Sequence, residues 1–220
     1  MGSITRGLSN NITTGGVILP AGITNASVAD VTSFANASGG TLILLSTQTA
    51  SASATISFTT GLDSTYDEYI FKYINVRPAT DEAWLQFNMS TDSGSNYNVT
   101  KTSASFLAYQ NEAGTVTSLA YEGGNVDLAQ STAFQTLSAD NGNGADENLC
   151  GTLQIFNPSS TTYVKHFIST SNTYHGGNLS ANWFVAGYGN TTSAVNAIRF
   201  QMSGGNIADG IIKLYGVKKS

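Results

Sequence analysis

The stretch Trp84-Leu85-Gln86-Phe87-Asn88-Met89-Ser90 decides the fold class. Leu85, Phe87 and Met89 occupy every second position, between Trp84, Gln86, Asn88 and Ser90. Successive side chains of an extended chain point to opposite sides, so this period marks a strand lying half-buried in a sheet. The same period recurs where Val164, His166 and Ile168 alternate with Tyr163, Lys165 and Phe167. It recurs again where Ile198, Phe200 and Met202 alternate with Ala197, Arg199 and Gln201. Tyr69 to Val76 is apolar on both sides, which predicts a central strand covered on both faces.

Further strands are expected at 42–47, 55–59, 103–109, 115–121, 149–156, 183–188 and 211–217. Turn-forming residues separate them: Thr91-Asp92-Ser93-Gly94, Asn141-Gly142-Asn143-Gly144, Asn157-Pro158, His175-Gly176-Gly177 and Ser203-Gly204-Gly205-Asn206. About ten strands with polar turns and no amphipathic helix predict an all-β protein. The expected architecture is a jelly-roll-like antiparallel β-sandwich over residues 41–220, preceded by an extended N-terminal arm over 1–40.

The arm is read from a composition break at Gly39-Gly40. Before it, apolar residues are sparse in a Ser, Thr, Asn and Gly background: Ile4, Leu8, Ile12, Val17, Ile18, Leu19, Ile23, Val28, Val31 and Phe34. Such a segment cannot form its own core. It is too apolar for a solvated tail, so these residues are expected to anchor the arm on neighbouring subunits.

Charged residues are only 10% of the 220, against about 25% in typical domains. Hydroxyl and amide residues replace them, as on adhesins and viral shells and rarely on cytosolic enzymes. A net charge of -5 without a basic stripe argues against a nucleic-acid partner. The longest apolar run, 42–45, is far too short to span a membrane. Met1 to Arg6 has no signal-peptide core, so synthesis in a cytosol is expected. The single cysteine, Cys150, forms no intramolecular disulfide and is read as a buried, inert thiol.

Motifs for chemistry are sparse. The chain holds no Gly-x-Ser-x-Gly elbow, His-Glu-x-x-His pair, Cys-x-x-Cys pair or phosphate loop. Of the two histidines, His166 is expected to be packed or hydrogen-bonded in its strand, whereas His175 lies in a loop. Asp63, Asp67 and Glu68 form a local turn, not the facing carboxylates of a glycosidase. The segment 140–147, with Asp140, Asn143, Asp146 and Glu147, has oxygen ligands suited to Ca²⁺. Its spacing departs from the EF-hand loop, and a plain turn is favoured. No cofactor or metal is expected. Sugar rings stack on aromatic side chains while amides and carboxylates bind their hydroxyls. The candidate surface-binding residues are therefore Asp92, Asn96, Tyr97, Asp140, Asn143, Tyr174, His175 and Trp183.

One resemblance spans roughly Gly40 to Val217. Its segments are 48–58, from Gln48 to Phe58; Tyr66-Asp67-Glu68-Tyr69-Ile70-Phe71-Lys72-Tyr73-Ile74-Asn75-Val76; 87–98, from Phe87 to Asn98; and Ile212-Lys213-Leu214-Tyr215-Gly216-Val217. In this order they resemble small structural proteins of marine tailed bacteriophages, often described as tail-fibre-like. The resemblance implies a virion component, brings no catalytic residue and leaves the arm uncovered. The expected function is a tail or fibre-like module serving assembly and host-surface attachment. A capsid decoration protein is the alternative, and a glycan-degrading enzyme is disfavoured. Expected partners are portal, tail or capsid proteins, further copies of the chain (a trimer by the habit of viral jelly rolls), and a host glycan or protein.

Overall fold

The computed structural model describes residues 12–13, 16–17, 41–124 and 126–219. The chain divides into two units, Met1–Gly39 and Gly40–Ser220. In the first, β1 (Ile12–Thr13) pairs antiparallel with β2 (Gly16–Val17), with Ile12 opposite Val17. The other expected anchors, Ile4, Leu8, Ile18, Leu19, Ile23, Val28, Val31 and Phe34, lie outside the described residues.

The second unit is all-β, with no helix among the described residues. Its strands are β3 (Leu42–Ser53), β4 (Thr55–Phe58), β5 (Glu68–Pro78), β6 (Ala83–Ser90), β7 (Lys101–Asn111) and β8 (Thr117–Tyr121). They continue with β9 (Gln135–Asn141), β10 (Leu149–Phe156), β11 (Lys165–His175), β12 (Leu179–Gly189), β13 (Ala197–Met202) and β14 (Ile207–Val217). Every pairing is antiparallel. One path runs β3-β14-β5-β10-β11-β9-β6-β13-β4. Its two ends, β3 and β4, are consecutive in the chain, so the sheet curls into a nearly closed, barrel-like form. From β11 a branch continues through β12 and β7 to β8. The link between β9 and β11 rests on one residue pair, Asn141 with His175.

The alternating residues fill the interior as expected. Leu85, Phe87 and Met89 of β6 and Ile198, Phe200 and Met202 of β13 are all buried. They meet Phe71, Tyr73, Leu153, Ile155, Phe167 and Leu214 from the opposite wall. At the centre, the Phe200 ring lies 5.3 Å from Phe71 and 6.3 Å from Phe58, edge to face. Phe87 meets Phe167 at 5.1 Å in the same manner. Such pairs add about 0.5–1.5 kcal/mol each beyond the area they bury.

Three readings are corrected. β5 is central by its pairing with β14 and β10, but it is covered on one face only. Tyr69, Phe71, Tyr73 and Val76 point inward, while Ile74 is exposed. In β11 the inward set is Lys165, Phe167, Ser169, Ser171 and Thr173, which leaves His166 exposed. The inward serines are explained by Tyr73, whose buried hydroxyl bonds both Ser169 Oγ and Ser171 Oγ. Burial pushes the Tyr73 phenol up to about 12. Cys150 is half-buried, not buried, and its sulfur accepts a hydrogen bond from the Asn75 N–H at 3.2 Å.

β9 carries no alternation of large apolar and polar residues. Its Gln135, Thr136, Leu137, Ser138 and Ala139 are all buried, yet Leu137 is the only large apolar residue among them. The strand is covered by its neighbours instead of covering them, so small polar side chains suffice.

Candidate functional site

Four strands, in the order β11-β12-β7-β8, present one outward face. Opposite residues of antiparallel strands share a face, so the registers define its rows. Ile168 stands beside Ala186 and Ala104; Thr170 beside Phe184, Phe106 and Tyr121; Asn172 beside Asn182, Ala108 and Leu119. Phe106 and Phe184 stack with centroids 4.6 Å apart. Phe106, Tyr121, Leu119 and Ile168 are exposed, at 45, 63, 73 and 47%. Scattered exposed apolar residues are ordinary, whereas a contiguous set marks an interaction surface. None of the outward residues in these rows is Asp, Glu, Lys or Arg.

Toward the β11–β12 turn the face becomes polar and opens into a groove of about 670 Å³. Gln110, Glu112, Thr117, Asn172, Tyr174, Ser180 and Asn182 line it. The Tyr174 hydroxyl lies 3.0 Å from both Glu112 Oε1 and Asn178 Oδ1. Its hydrogen bond to the Glu112 carboxylate raises the phenol's pKa. Asn172 Nδ2 donates to Ser180 Oγ at 3.2 Å. The groove thus offers amides, hydroxyls, one carboxylate and a tyrosine edge, without a cation.

A second cluster brings together three of the expected loop residues. Trp84 Nε1–H donates to Asp140 Oδ1 at 2.9 Å, and His175 Nε2 faces Asp140 Oδ2 at 3.5 Å. His175 Nδ1 accepts the Gly177 N–H at 2.9 Å, so this nitrogen is not left to activate a nucleophile. The carbonyl of Asn143 accepts from Arg77 Nη1, while the Arg77 Nη2 and Nε groups hold Asp209. Glu147 Oε2 accepts the Gly144 N–H at 2.6 Å and closes the 140–147 turn. Among the described residues, no three His, Cys, Asp or Glu side chains gather as metal ligands.

The remaining expected residues do not join either cluster. Asp92 lies beyond the far end of β6, where Oδ1 accepts from Ser90 Oγ at 2.7 Å and the Asn96 N–H at 2.8 Å. Asn96 Nδ2 donates to its other oxygen at 2.7 Å. The Ser90 hydroxyl, then the Asn96 groups, hold this carboxyl down at about 2. These bonds tie a turn and leave little for a ligand. Because the folded value lies below the ordinary 3.8, Asp92 stabilises the fold above pH 4 and this contribution is lost as pH falls toward 2. Melting wild type and Asp92→Ala across pH 4 to 2 checks this: the wild type is expected to lose stability more steeply than the variant.

Tyr97 and Trp183 are corrections. Tyr97 is buried beneath Arg199, whose guanidinium lies 4.0 Å from the ring centre. Trp183 points inward from β12 and packs with Leu107, Val126, Ala139 and Ala181. The alternation of Ala181, Trp183 and Val185, all buried, places it inside and puts Phe184 outside. Neither Tyr97 nor Trp183 is offered to a surface ligand. Phe106, Phe184, Leu119 and Tyr121 fall outside the expected set; their legible signal is that the stretches 102–111, 117–121 and 179–189 hold no Asp, Glu, Lys or Arg.

No family model, curated protein or solved structure matches the chain. Among the described residues, no helix is long and apolar enough to cross a membrane.

Proposed function

We propose that the chain is a structural component of a bacteriophage virion, a tail or fibre-like module that joins other virion proteins. The observation carrying this reading is the broad uncharged face of β11, β12, β7 and β8, with its exposed aromatic residues. Such a face suits lasting assembly. The resemblance of residues 40–217 to phage structural proteins supports the same setting. The engagement of His175 Nδ1 by the Gly177 N–H supports a non-enzymatic role.

The finer fold belongs to this proposal. Opened at the single Asn141–His175 pair, the path divides into β3-β14-β5-β10 and β4-β13-β6-β9. That is the strand order of a jelly roll, two four-stranded sheets facing each other. Hairpins β7–β8 and β11–β12 are then insertions that lengthen the first sheet past β10. The arm, residues 1–40, anchors the module on neighbouring subunits. Immunogold labelling of particles of the phage encoding the chain tests the location. Label on the tail is expected; label spread over the head assigns the chain to capsid decoration, and unlabelled particles contradict the virion reading.

The groove favours a second reading, in which this end of the face binds a host-surface glycan instead of a protein, because its amides and hydroxyls suit sugar hydroxyls and aromatic rings stand beside it. Ser180→Trp fills the groove from an exposed position. It is expected to lower particle adsorption to host cells about tenfold, about 1.4 kcal/mol. Unchanged adsorption removes this role.

A further inference from the structure

We propose that the uncharged outward face of β11, β12, β7 and β8 is the contact through which two copies of this chain pair. The inference rests on the assembly reading of that face and names its occupant.

Three observations point to a second copy. The first is regularity. The pairings β11–β12, β12–β7 and β7–β8 run without a register shift. On the other side of the sheet, β14 and β10 both carry shifts. A regular pleated surface packs against its own copy at about 10 Å, side chains interleaving. The edge strand β8 also carries no charge, proline or bulge to repel a partner.

The second observation is charge. The chain carries a net -5, so two copies repel wherever acidic residues meet. This face removes that obstacle, because its rows hold no ionised side chain. The carboxylates nearest to these rows stand at the margins of the face, Glu112 at the groove and Asp127 on the Tyr121 hydroxyl. In a two-fold arrangement the same patch serves both sides, which an uncharged patch satisfies without complementary signs.

The third is area. β7, β11 and β12 each have 11 residues. At about 3.3 Å per residue and about 4.8 Å between strands, the face measures roughly 35 Å by 15–20 Å. With side-chain relief its accessible area approaches the roughly 800 Å² per partner of a stable interface. Phe106 and Phe184 lie near its middle, where aromatic residues contribute most to association.

The test is the mass of the full chain in solution by light scattering and sedimentation at about 100 μM. A mass twice the 23.0 kDa of one chain is expected. Phe106→Asp and, separately, Leu119→Asp place a charge at exposed positions, so each is expected to fold with unchanged circular dichroism. Each is expected to weaken association at least about 100-fold and give the monomer. A wild-type monomer at this concentration overturns the proposal. So does a dimer that both variants preserve, since its contact then lies elsewhere. A monomer that is still found in particles would overturn only the pairing. A dimer missing from particles would overturn the virion reading and leave the pairing standing.

Discussion

Phe200→Ala is expected to destabilise the fold by about 3–5 kcal/mol. Phe200 is fully buried on β13, and its ring lies within 6.5 Å of the rings of Phe58, Phe71 and Phe87. It touches both walls of the barrel-like sheet, since Phe71 comes from β5 and Phe87 from β6. Removing the ring forfeits its transfer free energy and leaves a cavity that three other rings cannot fill without leaving their rotamers. Domains of this kind are stable by about 5–15 kcal/mol, so the variant stands near the limit of folding. Urea unfolding of wild type and variant measures the difference. A loss under about 1 kcal/mol would mean that β13 does not pack against β5 as described.

The second large effect follows from Lys101. Its side chain is fully buried, donating to Asn88 Oδ1 at 2.5 Å and to the Val99 carbonyl at 2.8 Å. No carboxylate meets the amine among the described residues, and burial lowers its pKa from 10.5 to about 7. The unfolded lysine keeps its proton up to about 10.5, whereas the folded one loses it near 7. Between these values the unfolded chain binds more protons, so stability rises with pH. Below about 7 both states are protonated and the full penalty applies. From pH 7 to 9.5 wild type is expected to gain about 3 kcal/mol. Measurements stop at 9.5 because the raised Tyr73 phenol works the other way once unfolded tyrosines ionise. Lys101→Met is expected to show a much shallower rise of the urea midpoint across that window, the remainder coming from Lys165, whose pKa burial also lowers. A flat wild-type profile would contradict the burial of an unpaired amine here.

The all-β class and most strands were legible because their apolar residues alternate. The expected bounds of β10 and β13 agree with the structure, and the segments 91–94, 141–144, 157–158, 175–177 and 203–206 all follow strand ends. Turn chemistry explains this: Ser93, Gly94, Asn157 and Gly205 adopt positive φ. β9 and the inward face of β11 were illegible, because their small polar residues are buried by partners distant in sequence. The same distance hid the meeting of Asp140 with His175, which depends on β9 reaching β11. Tyr97 and Trp183 misled because an aromatic beside polar residues reads as a surface feature until the strand face is assigned. The outward aromatic face needed the registers of four strands before its residues became neighbours.

The central claim, that this chain is built into a phage particle, is tested most directly by quantitative mass spectrometry of gradient-purified particles. The tail-module reading predicts the chain in every preparation at few copies per particle, retained after a high-salt wash. A copy number near that of the major capsid protein would make it a head-decorating protein, and its absence from washed particles would contradict the account.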